Sequence, residues 1–517
     1  MAGFPFQLNI LRPFLAALFN AQMDEWTQLE QTLDTMTASG SVEVHEDGQW
    51  LAELSGLHCE IQKEGKQPLV HLWSDERNLV RRILRVAEHS PNRVVFEVRR
   101  FGANRPARLE FIAAEGTRRK SRVSVEKFRA RFARILAENF PDARVDSLSG
   151  SPDLEHSFSG LFARGVMSEG RRAWAILAAP PGSNTNSVDG ILTFGLLWLE
   201  WARDHAERRA IEGLRLFVPE GTAREVRHRT KALNTAARVE IFELLAEEER
   251  VRAVDLADTG NLESWLTPRR EIEKTFDAAR GMVERIRAMD VRAGEHIVAD
   301  VRTGVREVSV RYRGLEFARW ADGHVEIGVG EDRREWTGRT PGDLKKLLGN
   351  LEEHRNPAAN ATNHAFYRAA PERWLENIVL RDPCQLDAQL DSKFLYSQVP
   401  ALSDSDRGII DLLGVTRQRR LVVIELKASE EIHLPLQAVD YWLRVRQHLA
   451  NGDFERGGYF AGMELDPGPP LVWLVAPALR FHPANETVLR YLSPEILITR
   501  IGLNENWRRK LRVVFRQ

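Results

Sequence analysis

The chain has 517 residues, is 43% hydrophobic and 28% charged, and carries a formal net charge of −1. A chain of that size is too long for one core, so roughly two to four domains are expected, and the composition excludes disordered, fibrous and generally polyanion-seeking proteins. Cys59 and Cys384 stand alone, with no neighbouring His or Cys cluster, which excludes a disulfide scaffold and a zinc ribbon and suits a reducing cytosol.

The opening MAGFPFQLNILRPFLAALFN lacks a basic n-region and is soon followed by Asp24 and Glu25, so it reads as an amphipathic helix rather than a signal peptide. No segment approaches about 18 uninterrupted apolar residues, so no membrane span is expected and the location is expected to be cytoplasmic. Residues 1–150 alternate helical and strand-like pieces and form a first α/β region of unassigned role. VVFEVRRF (94–101) and RLEFIAA (108–114) suit a hairpin, and KFRARFARILAENF (127–140) has helical periodicity before Pro141. The basic run at 118–122 between them is expected in a solvated loop.

Residues 151–260 form a second α/β region: strand WAILAA (174–179), helix GILTFGLLWLEWARDHA (190–206), then strands LRLFVP (214–219) and VEIFELL (239–245). The turn-rich loop at 180–190 lacks the Lys-Ser/Thr of a P-loop and is read as an ordinary connection. Residues 261–355 combine a charged helix with a small antiparallel sheet turning at Asp322-Gly323. HRNPAANATNHA (354–365) is small and polar and reads as a linker, with His354 and His364 in solvent.

The last region, 356–517, carries the chemistry. Helix PERWLENIVL (371–380), strands FLYSQVP (394–400), IIDLLGV (409–415) and LVVIELKA (421–428), helix LPLQAVDYWLRVRQHLA (434–450) and strand LVWLVAPAL (471–479) make an α-β-β-β-α-β series. Asp411 interrupts one apolar strand and Glu425 another, and a short turn joins them. If the strands pair antiparallel about Gln418, residue 411 faces 425, and directly opposed side chains stand about 4.5–5.5 Å apart at Cβ. Lys427, two residues on, emerges on the same face. Two carboxylates that close call for a proton or a cation. A hard divalent ion such as Mg²⁺ is the natural occupant, with the lysine to orient or deprotonate a water and neutralise charge on phosphorus. Glu372 and Glu376 share one helix face, and either could reach the ion.

RGIIDLLGV (407–415), LVVIELKA and QAVDYW (437–442) resemble the PD-(D/E)xK nuclease superfamily, and more specifically the catalytic domain of NucS-type endonucleases. The resemblance covers roughly residues 370–480 and implies a restriction-endonuclease-like core with a mixed sheet, in a multidomain α/β chain whose N-terminal regions are of unrecognised fold. It implies Asp411, Glu425 and Glu376 as ligands of Mg²⁺ or Mn²⁺, Lys427 as the catalytic lysine, and Gln437 and Tyr441 as the helix pair beside the site. Arg407 matches a basic residue before the aspartate strand. Ala428 and Asp440 depart from the family, each standing where it often has arginine.

The expected function is therefore a metal-dependent endonuclease acting on DNA, in repair or defence, with a homodimer as a further expectation. The alternative is an inactive nucleic-acid-binding or regulatory protein built on the same fold, although residues 371–517 are neutral, with 19 basic and 19 acidic residues. Arg417, Arg419 and Arg420 in the hairpin turn are phosphate-contact candidates, with Tyr441 for DNA contact. Trp374, Tyr441 and Trp442 could stack on bases, but on helices with apolar neighbours all three suit a core better. The strand-helix-strand layout of 151–260 could be a degenerate copy of the nuclease-like region, without its acid-acid-lysine set.

Overall fold

In the computed structural model the described residues are 28–517 apart from 34, 37–41, 47–48, 54–57, 63–67, 74–77, 100–105, 114–116, 151–155, 159–161, 182–187, 189, 207–209, 246, 258–265, 303–305, 331, 338–340, 360–363, 401–408 and 430. The expected amphipathic N-terminal helix and most of the 180–190 loop lie outside them. No helix among the described residues is long and apolar enough to cross a membrane.

The chain divides into two units, residues 1–124 and 125–517. The first unit is richer in strand than the α/β expectation. Strands β1 (Val42–Glu46), β2 (Gln49–Glu53), β3 (His58–Gln62), β4 (Leu69–Trp73), β5 (Asn78–Ser90), β6 (Arg93–Arg99) and β7 (Pro106–Ala113) form a sheet ordered β2-β1-β7-β6-β5-β4-β3. All its pairings are antiparallel, including the expected β6–β7 hairpin. Alternate residues such as Val94, Phe96, Leu109 and Phe111 fill one core, as a two-residue side-chain period dictates.

The boundary falls before residue 150 because helix α1 (Thr117–Asn139) serves the second unit. Its Phe128, Phe132, Ile135 and Leu136 are buried against Met167, Ile176 and Phe217. The basic run at 118–122 is thus helical, not a loop.

The second unit holds two six-stranded sheets. The first comprises β8 (Ala143–Ser149), β9 (Ala163–Glu169), β10 (Arg172–Ala178), β11 (Ile211–Pro219), β12 (Val239–Leu245) and β13 (Arg250–Ala253), with helices α2 (Ile191–Asp204) and α3 (Ala223–Thr230) in the crossovers. Between the two sheets in sequence lies helix α4 (Arg269–Met289), then β14 (Ile297–Arg302), β15 (Glu307–Tyr312), β16 (Leu315–Ala321), β17 (His324–Ile327) and β18 (Arg334–Glu335) as an antiparallel sheet, closed by α5 (Pro341–His354). Asp322 and Gly323 have φ of 46° and 90°, the left-handed pair that a tight hairpin requires.

The last region runs α6 (Pro371–Arg381), β19 (Leu390–Pro400), β20 (Ile409–Thr416), β21 (Leu421–Leu426), α7 (Leu434–Asn451), β22 (Leu471–Pro477), α8 (Ala484–Arg490), β23 (Leu497–Leu503) and β24 (Val513–Arg516). Its sheet is mixed: β21, β22 and β23 are parallel and the outer pairings antiparallel. One core joins both six-stranded sheets through their helices, with Leu196 and Leu199 of α2, Val226 of α3, Val439 and Trp442 of α7 and Val488 of α8 all buried in it.

The expected linker at 354–365 is in part a structural tie. Arg355 is fully buried, and its guanidinium donates to the carbonyls of Arg313, Ala369 and Ala370 at 2.7–3.2 Å and also to that of Phe366. It lies 4.5 Å from the Trp374 ring. The His354 and His364 rings stack at 3.8 Å rather than standing apart in solvent. Gly314 brings the β15–β16 turn against α6: at φ +82° a Cβ there would sit 2.2 Å from the Arg373 carbonyl.

Removing a buried guanidinium that serves four carbonyls takes a donor from each, and breaking such a set typically costs about 3–5 kcal/mol. Arg355→Ala is therefore expected to lower unfolding stability by that amount, read as a lower urea midpoint with an unchanged slope.

Candidate active site

The hairpin that carries the acids pairs as its symmetry about Gln418 demands: Leu412 faces Ile424, Leu413 faces Val423, Gly414 faces Val422 and Val415 faces Leu421. The turn closes through Thr416 and Arg420, with Arg419 at φ 68°. Continuing that register sets Asp411 across from Glu425. Asp411 Oδ2 accepts from the Leu426 backbone N–H at 3.0 Å, so its carboxylate leans over the end of β21. Lys427 Nζ stands 3.4 Å from Glu425 Oε1. Lys427 is itself held by the parallel neighbour, its N–H donating to the Val475 carbonyl at 2.9 Å.

Helix α6 supplies the next layer. Pro371 starts it, and Glu372 and Glu376 follow on one face. Glu376 is buried, its Oε2 accepting from Arg373 at 2.8 Å and from Gln398 Nε2 at 3.0 Å. Glu372 Oε1 accepts from the Ala428 N–H at 3.1 Å, tying the helix to the chain just past Lys427. Ala428 therefore contributes its backbone to the site's frame. Asp300 of β14 is held by Arg311 at 2.9 Å and by Ser397 Oγ at 3.2 Å, and its charge reaches Glu376.

Burial dominates the electrostatics. It pushes Glu425 up to about 8, with the Asp411 charge raising it further and Lys427 opposing. Asp411 is raised by the same burial against the pull of Lys427 and Arg373. The two carboxyls titrate as a pair, and one proton shared between them leaves a single negative charge. Glu376 is pushed up to about 8 by burial, opposed by Arg373 and reinforced by Asp411. Burial alone would lower Lys427, but Glu425 and Asp411 outweigh it and keep its proton above the usual lysine range. That suits water orientation and charge neutralisation and disfavours a lysine that removes a proton.

The donor set fits a hard cation. Glu425 Oε2 and Gln437 Oε1 are buried oxygens with no hydrogen-bond partner, which is costly unless something else satisfies them. Two opposed carboxylates, with one free oxygen on Glu425 and the Gln437 amide oxygen beside it, match the one or two protein carboxylates that Mg²⁺ takes, the rest of its shell being water and substrate oxygen. A ready-made group of three acidic, His or Cys ligands is absent among the described residues. Glu376, engaged by Arg373 and Gln398, stands outside the two-carboxylate set, contrary to its expected role as a third ligand.

The DNA-contact candidates fare differently. Arg407 lies outside the described residues. Arg417, Arg419 and Arg420 lie at the turn, five or six residues from the nearer acid, or about 16–20 Å at the strand rise. Arg419 pairs there with Glu464, and Arg420 donates to the Pro469 carbonyl at 2.7 Å, so the structure does not bring these arginines to the site. Tyr441 packs against the core around Val423 and Val445, and burial with the nearby Glu425 and Asp411 raises its hydroxyl well above the usual range. It is a neutral neighbour of the acid pair, not an exposed stacking surface. Trp374 and Trp442 are buried core, as expected. Asp440 does not thin out positive charge on a DNA path: it is buried and receives Arg229 of α3 at 2.6 Å.

Arg373, Gln398 and Asp300 were not singled out in the sequence. Arg373 had a signal, lying three residues before Glu376 on one helix face. Asp300 interrupts the apolar strand IVADVR, the same mark that revealed Asp411. Gln398, at φ 53°, had none.

The raised carboxyls set a pH dependence with a definite sign. An unfolded glutamate titrates near about 4.3, so the folded, metal-free protein holds protons that the unfolded chain has lost between about pH 4.3 and 8. Stability from this source is complete at the acid end and falls as pH rises through that window. A divalent cation bound by the ionised carboxylates would recover it. The thermal midpoint without metal is expected to drop from about pH 5 to 8, and added Mn²⁺ to raise it most at the alkaline end. Glu425→Gln flattens both trends. No protein-family model matches the chain, and no curated protein matches it significantly.

Proposed function

We propose that the protein is a divalent-metal-dependent nuclease that hydrolyses phosphodiester bonds in DNA, on a C-terminal restriction-endonuclease-like core. The reading is carried by the opposed Asp411 and Glu425 at a strand end, with Lys427 3.4 Å from the glutamate and a buried glutamate oxygen free of hydrogen bonds. Asp411 and Glu425 would hold Mg²⁺ or Mn²⁺, which when bound acidifies a water and neutralises phosphate charge. Lys427 keeps its proton and faces the same space, so it offers a fixed positive charge to a phosphorane-like transition state. Glu372 anchors the chain beyond Lys427, and Arg373 opposes the burial that raises Glu376 and Asp411.

One observation favours a second reading. Glu376 is already engaged by Arg373 and Gln398, leaving two carboxylates for a metal. A non-catalytic nucleic-acid-binding protein on the same fold would tolerate that.

The test is a cleavage assay on single-stranded, duplex, branched and mismatched DNA, with Mg²⁺, Mn²⁺ or chelator. Metal-dependent cutting is expected, lost by at least about 100-fold in Asp411→Ala and Glu425→Ala and reduced by about 100-fold in Lys427→Met. Undiminished cutting by Asp411→Ala rejects the site. Metal-independent binding that survives Glu425→Ala, with no turnover from the wild type, selects the second reading.

A further inference from the structure

The two six-stranded sheets of the second unit repeat one design. In chain order the first runs α1–β8–β9–β10–α2–β11–α3–β12–β13 and the second α6–β19–β20–β21–α7–β22–α8–β23–β24. Each successive strand pairing has the same sense in both: antiparallel, antiparallel, parallel, parallel, antiparallel.

The registers give residue-by-residue equivalence. Ala178 pairs with Phe217 as Leu426 pairs with Val475. One residue on, Ala179 N–H donates to the Phe217 carbonyl at 2.9 Å, as Lys427 N–H donates to that of Val475 at 2.9 Å. The two central strands then end alike, at Pro219 and Pro477. Ala179 therefore stands where the second copy has Lys427, and Leu177 where it has Glu425. Arg164 faces Leu177 across β9 and β10, in the place of Asp411. The first copy has none of the three chemical groups, and the Arg164 guanidinium lies 5.0 Å from the Phe158 ring and 5.7 Å from that of Trp198.

The copies meet as a two-fold pair. Leu233 and Leu492 form an antiparallel bridge at equivalent positions, each just after the second crossover helix. About it, Asn234 N–H donates to the Tyr491 carbonyl at 2.9 Å and Ser493 N–H to the Ala232 carbonyl at 2.7 Å, the same bond made in both directions. Helix α2 touches α8 as α7 touches α3. Reciprocal contacts of this kind define an isologous dimer interface. Here both partners belong to one polypeptide, so this helical face of the C-terminal copy is occupied within the chain.

We propose that the chain is an internal pseudo-dimer with one working site, acting as a monomer that breaks one strand of a duplex at each binding event. The proposal rests on the nuclease reading above. In each event a water oxygen forms one bond to phosphorus, one phosphorus–ester oxygen bond breaks, the leaving oxygen takes a proton, and the products are a phosphate monoester and a hydroxyl. A symmetric two-site dimer offers a second acid pair to the other strand. Here the dyad-related position presents Arg164, Leu177 and Ala179, which hold no metal and move no proton.

The experiment uses the full chain with Mg²⁺ or Mn²⁺ on supercoiled plasmid, with DNA sites in excess over protein. Light scattering on the same sample is expected to give the 59.0 kDa monomer. Open circles should accumulate almost completely before linear product appears, at a rate proportional to protein. Excess Asp411→Ala protein, added before the plasmid is saturated, should leave the wild-type rate unchanged. Linear product forming as fast as supercoiled DNA disappears, or poisoning of the wild type by Asp411→Ala, overturns the single-site monomer while leaving the nuclease reading intact. Cutting confined to single-stranded DNA overturns it likewise. A wild type that cuts no DNA defeats the nuclease reading and this inference together.

Discussion

Two carboxylates set opposite one another, the half-buried Asp411 and the buried Glu425, are the constraint around which the C-terminal region is organised. Neither could be kept there by packing alone, since burial raises the cost of each charge and their proximity raises it again. The surroundings are arranged to bear that cost. A backbone N–H from Leu426 meets one acid, the Lys427 ammonium meets the other, and Arg373 adds a second positive charge. What is left unsatisfied there, Glu425 Oε2 with Gln437 Oε1, marks where an added cation would be stabilised most.

The rigidity that holds this arrangement comes from parts of the chain distant in sequence. Helix α6 is clamped by the β15–β16 turn through Gly314 and by Arg355, whose guanidinium gathers carbonyls from both sides of the 354–365 segment. Helix α7 is tied to the first six-stranded sheet by the buried Arg229–Asp440 pair. An arginine-rich composition can look like preparation for phosphate. Much of this arginine is spent internally: Arg215 binds Glu169 and Glu240, and Arg81 binds Glu46. A planar guanidinium with five donors serves such buried, multi-acceptor positions better than lysine does.

Local chemistry was readable where the responsible interactions are local. The hairpin register followed from its short turn, because an antiparallel pair is fixed once its centre is known, and Glu372 and Glu376 shared a face because helices repeat every 3.6 residues. The Asp322-Gly323 turn was legible for the same reason. By contrast, the turn arginines looked close to the acids in sequence, yet a strand carries its two ends apart at about 3.3 Å per residue. Tyr441 looked like a contact for DNA because a helix face cannot be assigned to solvent or core without its neighbours. Asp440 looked like a lost positive charge until its partner, 211 residues earlier, came into view.

By itself, the amino-acid order determined the strand and helix periods of the C-terminal region, the opposition of two acids about one turn and the lysine on their shared face, all set by contacts within a few residues. The tertiary structure alone decided that Arg373, Gln398 and Asp300 join that group, that Arg355 is a tie rather than part of a linker, and that residues 117–253 repeat the C-terminal topology. Those features depend on pairings between segments tens to hundreds of residues apart. Such pairings are selected by burial and strand register, which preserve shape while the residues that fill it change.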